Sequence, residues 1–120
     1  MPLNVKDAAR LWDMLDAARS IITFTADLTY EQFYSDRKTR NAVERNLEII
    51  GEAARHVSDE TRVCFSEIPW KSMTGLRNVL AHEYGSIRHE ILWSVIQEKL
   101  APLIQSIEAI GADNPPDLND

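Results

Sequence analysis

The feature that most constrains the fold is an apolar stripe with helical spacing in the middle of the chain. It consists of Val43, Leu47, Ile50, Ala54 and Val57. Because residues three and four apart lie on one face of an α-helix, this spacing predicts a long amphipathic helix from near Asp36 to near His56. Between residues 5 and 110 the sequence has no alternation of apolar and polar residues of the kind that marks a strand. The chain is therefore predicted to be all-α.

The segments before and after this helix are also predicted to be helical. A first helix is predicted over about residues 5–26, because apolar residues recur there at steps of three and four. The apolar stripe assigned to it is Val5, Ala8, Trp12, Leu15 and Ile22. Ser58 is suited to cap a short helical turn, and Pro69 stands where a fourth helix is expected to begin.

The last part of the chain contains residues that typically end or bend helices. Gly85 is predicted to end the fourth helix, and Ser86 to cap a last helix that runs to Gly111. Pro102 is expected to kink this last helix because proline has no backbone donor. Residues 1–111 are thus predicted to form one up-and-down bundle of four to five helices, followed by a flexible, disordered acidic tail over residues 112–120.

Charge limits the kinds of partner. The chain has 120 residues, with 13 Lys and Arg against 19 Asp and Glu, and a formal net charge of −6. This argues against a protein that coats nucleic acid non-specifically, because such binding depends on many basic contacts to phosphate. Any contact with RNA is expected to be local, and the densest basic cluster is Arg37, Lys38, Arg40 and Arg45.

The sequence also bears on the compartment. No apolar run approaches the ~20 residues that span a bilayer. The first residues lack the basic and apolar regions of a secretion signal, and the lone Cys64 is compatible with a reducing cytosol. A cytoplasmic protein without membrane association is predicted.

Chemistry is suggested by the segment from Leu76 to Gly85, which sets Arg77, His82 and Tyr84 at short fixed spacings within a helical pattern. The arginine guanidinium is always charged and has several N–H donors that can bind a phosphate, and histidine exchanges protons near neutral pH. Tyrosine can hydrogen-bond or accept a transferred group. This combination of side chains favours phosphodiester chemistry.

The spacing of these residues raises a geometric problem. On a regular α-helix, Arg77 and His82 would point about 140° apart and lie ~7.5 Å apart along the axis. To act on one phosphate they need either an unwound last turn or a second copy of the motif across a symmetric dimer. His82 near a helix C-terminus has one further property, since the negative end of the helix dipole favours the imidazolium that a general acid needs.

Structural roles for the same residues are open alternatives. His82 can satisfy free carbonyls at the end of a helix, and Tyr84 can be a packing aromatic. Arg77 can form a buried ion pair with Glu48 or Glu52, which lie on the polar side of the long helix.

The motif resembles a known signature. Arg77, Asn78, three further residues, His82, Glu83 and Tyr84 are similar to the R-x4-H-x-Y motif of HepT toxins, the HEPN-fold partners of minimal nucleotidyltransferases in bacterial and archaeal toxin–antitoxin pairs. The segment 40–53 and the tripeptide at 68–70 resemble that family too. The resemblance covers nearly all of residues 5–110.

The resemblance implies a homodimeric bundle in which two motifs meet in a cleft, and a metal-independent endoribonuclease that cleaves RNA without a cofactor. Arg77 and His82 would then be the catalytic residues, with Asn78 and Tyr84 binding or orienting the substrate. In the family this tyrosine is also where the nucleotidyltransferase antitoxin can attach AMP. Added bulk and negative charge at Tyr84 would exclude an RNA phosphate.

A rival reading belongs to a different functional class. The chain would be a non-catalytic module that binds a nucleotide or the partner nucleotidyltransferase, with Arg77 and His82 holding a phosphate without cleaving it. The acidic net charge favours this rival. A metal site built from His82, Glu83 and His89 is not expected, because their spacing matches no known ligand pattern.

Overall fold

The computed structural model of the chain describes residues 3–82, 89–112 and 115, and for residues 77–79, 81 and 82 it describes the backbone alone. The described residues form seven α-helices and no strand, which confirms the predicted all-α fold. The helices are α1 (Val5–Thr25), α2 (Tyr30–Ser35), α3 (Arg37–Arg55), α4 (Asp59–Cys64), α5 (Trp70–His82), α6 (His89–Glu98) and α7 (Leu100–Ile110). The predicted number of four to five was too low, because α2 was not predicted and the last helix is divided in two. In this part of the chain, no helix combines the length and apolarity needed to cross a membrane.

The long helices run up and down. Helix α3 packs against both α1 and α5, and α1 also packs against α7. Asp7, at the start of α1, is hydrogen-bonded to Ser58, which follows the end of α3. His89, at the start of α6, lies 3.8 Å from Glu44 in the first half of α3. The end of α5 therefore lies at the end of the bundle where α3 and α6 begin, which we call the motif end.

The core confirms one predicted stripe and corrects another. All five apolar residues assigned to α3 are buried: Val43, Leu47, Ile50, Ala54 and Val57. In α1, however, Val5 is 84% exposed and Ile22 is 39% exposed. Leu15 is buried as predicted, and it shares the buried face of α1 with Leu11, Met14, Ala18 and Ile21. Apolar residues occur around much of α1, so packing against α3 and α7 selects the buried face, and sequence spacing alone does not.

Helices α2 and α3 follow one another without a connecting loop. Helix α2 begins with a reciprocal cap, in which the Thr29 hydroxyl accepts from the backbone of Gln32 and the Gln32 side chain accepts from the backbone of Thr29. Asp36 ends α2, because its backbone N–H donates to the Phe33 carbonyl at 3.2 Å. The Asp36 carboxylate also begins α3, where it accepts from the backbone and the hydroxyl of Thr39 at 3.1 and 2.7 Å. One residue thus fixes the angle between the two helices.

The helix-ending residues of the last segment behave largely as predicted. Helices α6 and α7 are separated only by Lys99, three residues before Pro102. Because proline has no N–H, the carbonyl four residues earlier loses its helical partner. Lys99 stays in the right-handed helical region, and its N–H still donates to the Val95 carbonyl at 2.9 Å, which agrees with the predicted kink. Gly111 ends α7 with a φ of 89°, a left-handed conformation that favours glycine. The predictions for Gly85, Ser86 and most of the 112–120 tail lie outside the described residues.

A buried carboxylate holds the end of the bundle opposite the motif end. Asp7 is 3% exposed. It accepts hydrogen bonds from the backbone N–H and hydroxyl of Ser58 at 3.0 and 2.6 Å, from the Thr61 hydroxyl at 2.6 Å and from the Asn4 amide at 3.1 Å. Burial raises the pKa of Asp7, but the hydrogen bonds from Ser58, Thr61 and Asn4 outweigh it and place the pKa below the usual 3.8. Asp7 therefore ties α1 to the junction of α3 and α4.

Replacing this carboxylate should destabilise the fold in a pH-dependent way. At pH 7, Asp7→Asn is expected to lower the free energy of unfolding by about 2–3 kcal/mol, because the amide cannot accept from every present donor and leaves a buried hydroxyl without a partner. Because the folded pKa of Asp7 is depressed, its contribution is present above pH 3.8 and is lost as the pH falls through the folded pKa. Urea unfolding at pH 7 and at pH 3 should show the difference between wild type and variant shrinking at low pH. The control is Asp59→Asn, whose carboxylate is 99% exposed and should change stability little.

Candidate functional site

Helix α5, which carries the motif, is held against the core along its length. At its start, the Trp70 indole N–H donates to the Phe65 carbonyl at 3.1 Å, and the Met73 backbone N–H donates to the Pro69 carbonyl at 3.0 Å. The side chains of Trp70 and Met73 are buried, as is Leu80 near the other end of the helix. The predicted start at Pro69 is confirmed. The backbone that presents the motif is thus fixed by packing on both sides of Arg77.

The structure places three of the four predicted site residues on α5. Arg77, Asn78 and His82 lie in its last turns, with their backbones described, whereas Tyr84 lies outside the described residues. The backbone is helical without interruption from Arg77 to His82. Two positions separated by five residues on such a helix point about 140° apart. An unwound turn between Arg77 and His82 is therefore not present, and the alternative of a second copy across a symmetric dimer stays a prediction.

The first turn of α6 is anchored by contacts with α2 and α3. The His89 ring meets the edge of the Tyr34 ring at a centroid distance of 5.6 Å and an interplanar angle of 86°. His89 Nε2 lies 3.8 Å from Glu44 Oε1. Glu90 accepts a hydrogen bond from the Tyr30 hydroxyl. Burial raises the pKa of Tyr30 above 10.0, and the negative charge of Glu90 raises it further. The first turn of α6 is thus held by α2 and α3.

An aromatic cluster supports this anchor. The Trp93 ring lies 5.2 Å from Phe33 and 6.2 Å from Tyr30, measured between ring centroids. Phe33 is fully buried. Such tilted and edge-on contacts are favourable geometries for aromatic pairs. Because Tyr30 and Phe33 belong to α2, this short helix fixes the position of α6, and the sequence analysis did not anticipate that role.

Residues of α1 and α3 line a polar groove. Its volume is about 220 Å³, and it is lined by Arg10, Asp13, Arg45, Glu48, Ile49, Glu52 and Ala53. Burial raises the pKa of Asp13. The positive charge of Arg10 lowers this pKa in part, and the negative charge of Asp16 raises it further. The groove has three carboxylates against two guanidinium groups, so it is poorly suited to a phosphate.

The two carboxylates proposed as alternative partners of Arg77 have partners on their own helix. Glu48 accepts from Arg45 at 3.3 Å. Glu52 is paired with Arg55 at 3.4 Å and with His56 at 3.1 Å. The side chain of Arg77 lies outside the described residues, so its ion pair with either carboxylate stays an open alternative.

Comparison with known proteins gives the family. A family model described as ribonuclease HepT-like matches residues 14–110. The chain is 40% identical over 102 residues to "Putative RNase MJ1380" of Methanocaldococcus jannaschii, covering 85% of this chain and 94% of that protein. It is 35% identical over 100 residues to "Probable ribonuclease HepT" of Thermococcus cleftensis, covering 83% and 91%. No solved structure gives a significant match. The resemblance inferred from the motif is confirmed: this chain belongs to the HepT-like ribonuclease family.

Proposed function

We propose that the protein is a metal-independent endoribonuclease that cleaves RNA through Arg77 and His82 and acts as the toxin of a toxin–antitoxin pair. The observation that carries this proposal is the family match over residues 14–110, which includes the whole motif helix. Relatives named as ribonucleases support RNA as the substrate. The continuous helix under the motif supports a site that two copies complete.

The proposed reaction uses a nucleophile that RNA itself supplies. The 2′-hydroxyl attacks the adjacent phosphorus, the bond from phosphorus to the 5′-oxygen breaks, and the 2′-proton leaves as the 5′-oxygen gains one. His82 transfers protons in this reaction, and its place at the end of α5 favours the imidazolium that protonates the leaving oxygen. Arg77 binds the non-bridging oxygens, where charge builds in the transition state. Asn78 orients the phosphate or the guanidinium. None of these steps needs a metal ion.

The proposed active site lies between two copies of the chain. A two-fold axis beside α5 would bring Arg77 of one copy towards His82 of the other, which removes the 140° mismatch on a single helix. Helix α5 of the second copy would thus supply the motif residue that a single chain cannot bring to the same phosphate.

Neutralisation is proposed to occur at Tyr84. A minimal nucleotidyltransferase would attach AMP to the Tyr84 hydroxyl, breaking the bond between the α- and β-phosphates of ATP and releasing pyrophosphate. The added phosphate and adenosine would repel and block an RNA phosphate at the same cleft. Tyr84 would then line the cleft without taking part in proton transfer.

One observation favours the rival, non-catalytic function. The net charge of −6 is unusual for a protein that binds RNA, and it suits a module that holds a nucleotide or a partner protein. Both functions use Arg77 and His82 to hold phosphate, and cleavage alone distinguishes them.

The test is incubation of the purified protein with total RNA in EDTA, with His82→Ala purified in parallel. Cleavage by the wild type alone, unchanged when Mg²⁺ is added, is the expected result. Light scattering on the same preparation should give the mass of a dimer at micromolar concentration. If EDTA abolishes cleavage and Mg²⁺ restores it, the mechanism is wrong. Phosphate or nucleotide binding without cleavage under either condition would support the rival.

A further inference from the structure

A group of basic and aromatic side chains lies where α2, α3 and α6 meet. It consists of Tyr34, Arg37, Arg40 and His89, and we call it the basic–aromatic patch. The guanidinium carbon of Arg40 lies 5.4 Å from the centre of the Tyr34 ring, within the range of a cation–π contact. The edge of the same ring meets His89. Although it has these neighbours, Tyr34 is 51% exposed, so about half of the residue's surface is open to solvent.

The two arginines of the patch are not paired with carboxylates. Arg37 is exposed and Arg40 is partly exposed. Within the described part of the chain, no carboxylate forms an ion pair with either side chain at 4.0 Å or less. Of the acidic side chains around them, Asp36 caps α3 and Glu44 lies beside His89. In a chain with a net charge of −6, these two guanidinium groups are a local source of positive charge.

Helix geometry places Arg37 and Arg40 on one face of α3. Arg37 and Arg40 point about 60° apart on α3, and Glu44 lies about 20° from Arg37, so all three share one face. Because Arg40 contacts Tyr34 and Glu44 lies beside His89, this face is turned towards α2 and α6. On this face, Arg37 lies about one helical turn before Arg40. A linear polyanion can follow such a row, whereas a compact anion would use only one part of it.

The patch lies at the motif end of the bundle. His82 is the last residue of α5, and His89, a member of the patch, is the first residue of α6. The residues 83–88 that join them allow a separation of at most about 25 Å between the two α-carbons. A strand of a few nucleotides held at the patch is therefore within reach of the motif.

We propose that the basic–aromatic patch binds the single-stranded RNA that flanks the cleaved phosphate. A base stacks on the exposed part of the Tyr34 ring, and Arg37 and Arg40 bind consecutive phosphates. Aromatic rings beside cations are the usual means by which proteins bind single strands with little sequence preference. This also explains how an acidic protein holds RNA, because the necessary charge is concentrated in one place. The choice of RNA as the ligand rests on the proposed function.

The test measures RNA binding without requiring cleavage. In a His82→Ala background, fluorescence anisotropy with a labelled single-stranded RNA should show Tyr34→Leu binding about 10-fold more weakly, because a stacking contact is lost, and Tyr34→Phe binding like the parent. The double variant Arg37→Gln with Arg40→Gln should lower the slope of log affinity against log salt by about 1.4, or 0.7 for each phosphate contact. Photo-cross-linking of 4-thiouridine RNA should label the peptide that contains Tyr34.

Arg45→Gln is the matched control. Arg45 is an exposed arginine of the same helix, it points about 140° away from Arg40, and it is paired with Glu48. It should bind RNA like the parent. The proposal is wrong if Tyr34→Leu and the double arginine variant bind RNA as the parent does, or if the parent binds none. It is equally wrong if these variants still bind RNA and lose only the ability to bind a partner protein. Absence of cleavage by the wild type, in contrast, would count against the proposed function and leave the binding result standing.

Discussion

His82→Ala is expected to lower the rate of RNA cleavage by about 10²–10⁴-fold, the usual contribution of a positioned proton-transfer group. The variant should still fold, because α5 is held by Trp70, Met73 and Leu80, which the substitution does not touch. It should also still accept AMP, because Tyr84 is proposed to be modified independently of catalysis. Cleavage of a labelled RNA measures the first effect, and mass spectrometry after incubation with ATP and the nucleotidyltransferase measures the second.

The matched variant, Tyr84→Phe, should behave in the opposite way. It lacks only the hydroxyl, so it should cleave RNA at the wild-type rate and gain no AMP, and it should stay active when the partner is present. If Tyr84→Phe is modified as fully as wild type, Tyr84 is not the acceptor. An inactive but folded Tyr84→Phe would show that the tyrosine belongs to the catalytic machinery.

Arg77→Lys is expected to keep the fold and lose about 10²–10³-fold in cleavage rate, the scale for removing one donor to the transition state. A guanidinium can hold two phosphate oxygens at once, whereas an ammonium is a single point charge. Single-turnover kinetics should show the loss in the chemical step. Arg45→Lys, a change of the same type at an exposed position on α3, should cleave like wild type. Wild-type rates in Arg77→Lys would mean that the residue supplies charge alone.

The helix that the sequence predicted best is α3. Its apolar stripe falls on one face, its first residue follows the Asp36 cap and its last precedes His56. The spacing of apolar residues was sufficient for α3 because its polar positions leave only one face to bury. The same spacing was misleading for α1, where apolar residues occur on adjacent faces and the contacts with α3 and α7 determine which face is buried.

The residues assigned to the site stay a prediction. The motif on α5 is a local pattern, so spacing alone was enough to propose it. The basic–aromatic patch was predicted only as a cluster of basic residues, because Tyr34 belongs to α2, which was not predicted, and His89 lies far along the chain. Arg45, which was grouped with that cluster, pairs with Glu48 beside the polar groove instead. The available signal for α2 was the Thr29 and Gln32 pair, a capping box followed by the aromatic residues Phe33 and Tyr34.

The shared cap at Asp36 has a consequence for insertions and deletions in this chain. Since α2 ends and α3 begins at one residue, no loop exists there to absorb a change in length. Adding or removing one residue beside Asp36 would rotate α3 by about 100° relative to α2 and separate Arg40 from Tyr34. The turn between Thr25 and Thr29, which lies outside the helices, can accept such a change without altering that relation. Relatives that keep the patch are therefore expected to differ in length before Thr29 and to keep the spacing from Tyr34 to Arg40 unchanged.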